Sequence, residues 1–122
     1  MSRNSVGWFE IYVDDMERAR KFYETVIGVT LEKLPVDVEM MTFPMDPEAP
    51  GSAGALVHMD GFKAGGNSTL VYFSCEDCAN EESRVEGAGG NIFKTKFSIG
   101  EYGFISLVTD TEGNMIGLHS LK

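Results

Sequence analysis

Residues 6–13 alternate in character. Phe9, Ile11 and Val13 fall on one side of an extended chain, and Trp8, Glu10 and Tyr12 on the other, which predicts a strand with one apolar face. The period then changes. Ala19, Phe22, Tyr23, Val26 and Ile27 recur at helical spacing, and Asp14 with Glu17 three residues later reads as a capping box at the start of this helix. Gly28 is placed to end it in a left-handed conformation. Further strands are predicted over 29–33, 38–43 and 55–59, with a Pro- and Gly-rich loop at 44–54 and a glycine-rich linker at 61–68.

The order then repeats. A strand over 69–75 puts Thr69, Val71, Phe73 and Cys75 on one face and Leu70, Tyr72 and Ser74 on the other. Asp77 caps a second helix, with Ala79, Val85 and Ala88 as its apolar positions and glycines from 87 to 90 at its end. A strand over 91–97 and a turn over 98–103 lead to a hairpin, 104–109 and 115–120, around the turn 110–114. Gly113 and Asn114 are expected to supply the positive φ values there. Ile116 and Leu118 share one face of the last strand, and Met115, Gly117 and His119 share the other.

A shift of 62 residues carries Trp8 onto Leu70, Asp15 onto Asp77 and Gly28 onto Gly90. The chain therefore reads as an α+β protein, a tandem pair of βαβββ modules (about 5–60 and about 68–121) within a single domain, 1–122. With helices on one side, the other face of a curved mixed sheet is free to form a cleft.

Composition narrows the partners. The net charge of −9 and the lack of a basic cluster argue against nucleic acid and anionic membranes. No run is long enough to span a bilayer and the start of the chain lacks a leader pattern, so a cytoplasmic location is expected. Cys75 and Cys78 form a C-x-x-C, but the acids between and beside them raise a thiol pKa, which favours a structural role over a redox one.

The free face is expected to carry Trp8, Glu10, Tyr12, Leu70, Tyr72, Ser74, Phe104, Ser106, Gly117 and His119. Aromatic walls with a few polar groups are the make-up of a small-molecule pocket. Trp8, Tyr12, Leu70, Tyr72, Ser74, Phe104 and Gly117 are the candidate ligand contacts, and Met40, Met59 and Met115 can adapt to a ligand's shape. Glu10 and His119 are the candidate acid–base pair. The alternatives are that Glu10 accepts hydrogen bonds from tyrosine or backbone, that His119 is part-solvated at the sheet end, and that Trp8 packs in an interface between copies of the chain. The segment 99–103 is either a small lid or a plain turn.

The run from Ile11 through Asp14, Asp15, Met16 and Glu17 to Phe22-Tyr23, followed by Gly28, resembles the first-module signature of the vicinal oxygen chelate superfamily, which holds glyoxalases, extradiol dioxygenases and bleomycin-resistance proteins. Ala88-Gly89-Gly90 and the run from Gly103-Phe104 to Gly117-Leu118 resemble its second module and closing hairpin. In metalloenzymes of that superfamily, His, Gln and Glu side chains from both modules hold one divalent metal. Carried over by the resemblance, those positions fall on Trp8, Leu70, Gly117 and either Val57 or His58. Trp, Leu and Gly offer no metal-binding side-chain atom. The expectation is therefore a protein without metal or other cofactor that binds an apolar or aromatic small molecule, of the bleomycin-resistance type, and forms a homodimer as the family commonly does. The alternatives are a lyase, isomerase or dioxygenase using an altered metal site or the Glu10/His119 pair, and an interaction module with no small ligand.

Overall fold

A computed structural model describes residues 4–122; residues 1–3, where the reading for a leader and the expected domain begin, lie outside the described residues. The chain order is β1 (Trp8–Tyr12), α1 (Met16–Ile27), β2 (Glu32–Lys33), β3 (Glu39–Thr42), β4 (Ala53–His58), β5 (Tyr72–Ser74), α2 (Cys78–Val85), β6 (Asn91–Ser98), β7 (Phe104–Thr109) and β8 (Met115–Ser120). The α+β class and the doubled strand–helix–three-strand order stand. The strands form two mixed four-stranded sheets, β1-β4-β3-β2 and β5-β8-β7-β6, rather than one continuous sheet. Their inner edges, β1 and β5, each pair in parallel with the last strand of their own half.

The 62-residue shift holds in those inner ladders. Glu10 pairs with Ala55 and Ile11 with Leu56 in the first sheet, and Tyr72 with Gly117 and Phe73 with Leu118 in the second. It holds at the helix starts too: the caps are Asp15, whose side chain accepts from the Arg18 N–H, and Asp77, which accepts from the Ala79 N–H. The cap expected at Asp14 is thus one residue early. Asp14 instead accepts from the backbone N–H of Ala64 in the linker, and Glu17 pairs with Arg20 instead of reaching back to the cap. Gly28 ends α1 at φ 80°, a conformation that a Cβ makes costly, and its N–H bonds to the Glu24 carbonyl.

The apolar faces meet as read from the sequence. Ile11 and Val13, the Ala19, Phe22, Tyr23 and Val26 stripe of α1, Leu56, Val85, Val108, Ile116 and Leu118 form one buried cluster shared by the two halves. Cys78, the first residue of α2, is fully buried within it, a better core residue than Ala79. Phe9, Tyr23, Phe43 and Phe73 interlock by tilted and edge-on contacts where the sheets adjoin.

The turn 110–114 clasps the two halves. Asp110, Glu112 and Asn114 are buried. Asp110 accepts from the Tyr23 hydroxyl at 2.6 Å and from the backbone N–H groups of Glu112 and Asn114. Glu112 accepts from the N–H groups of Asp14 and Asp15 at 2.9 and 2.8 Å, at the positive end of α1. The Asn114 amide donates to the Tyr12 carbonyl. In this turn only Gly113 has a positive φ; the one expected at Asn114 is absent, because its backbone already continues the β7–β8 pairing, the Asn114 carbonyl accepting from the Asp110 N–H.

Candidate functional site

β1 turns Phe9 and Ile11 into the core, so period-two geometry sends Trp8, Glu10 and Tyr12 to the opposite face. β5 does the same with Phe73 inside and Tyr72 and Ser74 outside. Along this face lies a cleft of about 980 Å³, and Trp8, Glu10, Tyr12, Leu70, Tyr72 and Ser74 all line it. Its rim is completed by the linker, from Lys63 to Thr69, and by the turn 50–52. Asn67 staples that linker to β8, donating to the Met115 carbonyl and accepting from the Met115 N–H. A second hollow of about 520 Å³ lies beside the first, and Trp8, Gly51 and Ser52 border both.

Glu10 sits between its two neighbours on the strand. The Trp8 indole N–H donates to Oε2 at 3.2 Å, and the Tyr12 hydroxyl donates to Oε1 at 2.9 Å. The hydrogen bond to Glu10, followed by partial burial and the nearby charge, raises the Tyr12 pKa above the ordinary phenol value, so the hydroxyl stays protonated as the donor. Phe62 stacks on the Tyr12 ring with centroids 5.3 Å apart. Trp8, Leu70 and Tyr72 remain 39%, 37% and 47% exposed, leaving their apolar surface available to a ligand.

Gly117 serves Tyr72. A Cβ at Gly117 would lie 2.2 Å from the Tyr72 ring, so the absent side chain lets that ring lie flat on β8. Gly117, a candidate ligand contact from the sequence, is therefore covered by the Tyr72 ring and does not line the cleft.

The hairpin register corrects two other positions. Phe104 pairs with Ser120 and Ser106 with Leu118, and paired residues share a face. Since Leu118 is core, Phe104 and Ser106 lie on the helix side, away from the cleft. Phe104 packs against the core under the Lys96 ammonium, and the Ser106 hydroxyl donates to the Lys94 carbonyl. His119 is on the same side of β8 as Gly117 but does not line the cleft: its Nε2 lies 2.7 Å from the carbonyl of Tyr102. Glu10 and His119 are not brought together. The 99–103 segment contains a short 3-10 turn, Gly100–Tyr102, held by that imidazole. Of the three methionines, Met115 lines the cleft and Met40 and Met59 do not.

The register shows that Val57 and His58 face opposite ways on β4. His58 shares the side of Leu56, the core face, and its Nδ1 lies 3.0 Å from the Val13 carbonyl, which raises the imidazole pKa above its ordinary value. Val57 takes the cleft side, paired with Tyr12. The resemblance puts the metal positions at Trp8, Leu70, Gly117 and one residue of β4; the 62-residue shift maps Gly117 onto Ala55, and Ala55 and Val57 share the cleft side of β4 while His58 does not. Trp8, Leu70, Gly117, Ala55 and Val57 do not fit a divalent metal, which needs oxygen, nitrogen or thiolate donors. Among the described residues no group of three His, Cys, Asp or Glu side chains is placed to hold one.

Lys63, Asn67 and the 50–52 turn are cleft residues that sequence reasoning missed. Linker residues carry no periodicity from which a facing can be read. Glu112 was missed because an acid in a turn reads as solvated.

Comparison with known proteins agrees with the fold. The model of the Glyoxalase/Bleomycin resistance protein/Dioxygenase superfamily matches residues 5–118. A curated relative from Mycobacterium tuberculosis, "Putative glyoxylase CFP32", is 25% identical over 114 residues; these are 92% of this chain but 44% of that protein, so the chain spans less than half of the relative's length. Among solved structures, TnmS3, an antibiotic binding protein from Streptomyces sp. CB03234, superposes with a TM-score of 0.69 at 23% identity, covering 100% of this chain and 99% of its own. Glyoxalase I from Zea mays superposes with a TM-score of 0.74 at 22% identity, over 93% of this chain and 44% of that one. A family model matched from residue 5 to residue 118, on a fold of two such halves, makes this chain a member of the Glyoxalase/Bleomycin resistance protein/Dioxygenase superfamily.

Proposed function

We propose that the protein is a metal-independent small-molecule-binding member of this superfamily, holding an apolar or aromatic ligand in the cleft between β1 and β5. The observation that carries the reading is the character of that cleft: exposed Trp8, Leu70 and Tyr72 line its walls, and Glu10 is held between Trp8 and Tyr12. Flat rings with one hydrogen-bonding end suit an aromatic ligand. Trp8, Leu70 and Gly117 at positions that the resemblance assigns to the metal, with the apolar Ala55 and Val57 on the cleft side of β4, support binding without a cation, and the likeness to an antibiotic binding protein over its full length supports a sequestering role. A homodimer in the cytoplasm completes the reading.

The test is a thermal-melt screen of the purified protein against neutral and charged aromatic compounds, with Trp8→Ala alongside. An increase in Tm with at least one compound, lost in Trp8→Ala, is the expected result; no shift with any compound overturns the binding reading. Elemental analysis after purification without chelators tests the metal separately. One metal ion per chain would overturn metal independence, and light scattering reports the oligomer.

A further inference from the structure

We infer that the ligand of this cleft is a cation, a flat apolar body bearing a protonated amine or amidine nitrogen that binds against Glu10. The inference rests on the small-molecule-binding reading and adds the charge and orientation of the ligand.

Glu10 is positioned, but its charge is not cancelled. Both of its oxygens accept from neutral donors, the Trp8 indole and the Tyr12 hydroxyl. Neither donor carries a charge, and each carboxylate oxygen keeps a second acceptor site for an incoming N–H. Among the described residues no lysine, arginine or histidine nitrogen lies within ion-pair distance of Glu10, whereas Glu17, Glu24 and Glu112 all have such partners. The carboxylate is therefore a fixed anion facing a cleft whose nearby surface is aromatic. A neutral ligand covering it would strip water from a charge and return at most a hydrogen bond from a neutral donor, and an anionic ligand would also be repelled. A cationic nitrogen gains a charge-assisted hydrogen bond at Glu10 and the attraction of the exposed Trp8 and Tyr72 rings.

Lys63 is the other charged side chain on the cleft lining. It makes no ion pair or side-chain hydrogen bond among the described residues and stands in the glycine-rich linker. A flexible ammonium with no fixed partner orients a ligand less than a carboxylate locked by two donors. The net charge of −9 adds a long-range bias toward cations.

Three probes of one shape separate charge from shape: 1-naphthylmethylamine, 1-naphthylmethanol and 1-naphthoate, titrated calorimetrically into the intact chain at neutral pH. The amine is expected to bind about tenfold tighter than the alcohol, and the carboxylate weakest. Glu10→Gln, close to isosteric on an exposed strand face, should abolish the difference between amine and alcohol, while Lys63→Met should not weaken the amine. Raising the salt from about 20 mM to about 500 mM should weaken the amine and leave the alcohol unchanged, a readout on the unmodified chain that stands even where a variant folds poorly. Equal binding of alcohol and amine, a preference for the carboxylate, or weaker amine binding in Lys63→Met would overturn the cationic assignment and leave the binding reading intact. Silence from all three probes while neutral compounds of the wider screen bind would likewise overturn it alone; silence throughout would overturn both.

Discussion

The Glu112 carboxylate accepts from the Arg18 guanidinium at 2.7 Å from Nε and 3.0 Å from Nη2, across 94 residues of chain. The Glu112 side chain is fully buried while that of Arg18 is half exposed. The carboxylate therefore sits inside the protein with one guanidinium, the Asp14 and Asp15 N–H groups just before α1 and the Thr111 hydroxyl as donors. Glu112→Ala leaves the Asp14 and Asp15 N–H groups without their acceptor and is expected to cost about 2–4 kcal/mol, read as the shift of the urea midpoint. Arg18→Ala should cost less than Glu112→Ala, because the guanidinium is half in water; the reverse order would contradict the clasp.

Acid titration should resolve Glu112 from Asp110. Burial pushes the Glu112 carboxyl up, but Arg18, the Asp15 and Asp14 N–H groups and Thr111 outweigh it and hold the pKa down to about 2. Its folded value lies below the unfolded one, so its contribution is complete above the ordinary glutamate range and is lost as pH falls toward 2. Asp110 has the opposite sign: burial raises its pKa despite the Tyr23 hydroxyl and the Asn114 and Glu112 bonds. Its contribution is complete below the ordinary aspartate range and is lost as pH rises through the folded value. In urea melts from pH 7 to pH 2, Glu112→Gln should flatten the loss of stability on the acid side. An unchanged acid limb would show that Glu112 is not the group responsible.

Tyr23 is fully buried with its hydroxyl 2.6 Å from Asp110 Oδ2. Burial first, then the Asp110 charge and hydrogen bond, drive its pKa well above the ordinary value, so the phenol should not ionise at any pH where the protein is folded. Tyr23→Phe removes one donor from a buried carboxylate that keeps three others and is expected to cost about 1–3 kcal/mol. Spectrophotometric titration gives the companion result: one tyrosine fewer titrates before unfolding than after it.

Tyr72 and Gly117 form a pair that a double-mutant cycle can isolate. Gly117→Ala drives a methyl into the ring, at 2.2 Å in the present geometry, and should displace Tyr72 into the cleft. A stability loss of about 1–3 kcal/mol is expected with weaker ligand binding. In a Tyr72→Ala background the same substitution should be close to neutral in stability. Equal costs in both backgrounds would show that the clash lies elsewhere.

The thiols should be inert in the native state. Burial, then the charge and hydrogen bond of Glu81, push the Cys75 pKa up to about 12, and Cys78 is fully buried. A colorimetric thiol reagent at pH 8 should react slowly with the folded chain and report two thiols on denaturation. Rapid native labelling would restore a redox role to the pair.

Alternation made the first strand legible: Phe9 and Ile11 against Trp8, Glu10 and Tyr12 marked both the core face and the cleft face, and the same alternation over 69–75 did so for Tyr72 and Ser74. The 62-residue repeat carried the true cap, since Asp15 and not Asp14 maps onto Asp77. Phe104 and Ser106 were placed on the wrong side because the facing of β7 depends on the parity of the turn that joins it to β8, and a one-residue difference there reverses every side chain. Glu112 was illegible for another reason. Its partners lie at the far end of the sequence, and no local pattern marks an acid as buried when the donors that satisfy it are 94 and 98 residues away.

The reach of the 110–114 turn sets an order of events during synthesis. A chain emerging from the ribosome presents β1 and α1 early, yet two N–H groups at the start of α1 find their acceptor only when residue 112 appears. Until then the first half has its strands and its apolar stripe but lacks both its clasp and the inner surface of β8 against which Phe22, Tyr23 and Val26 share a core. A nascent first half should therefore remain protease-sensitive and acquire resistance in a single late step, even though its sequence reads as a self-contained unit.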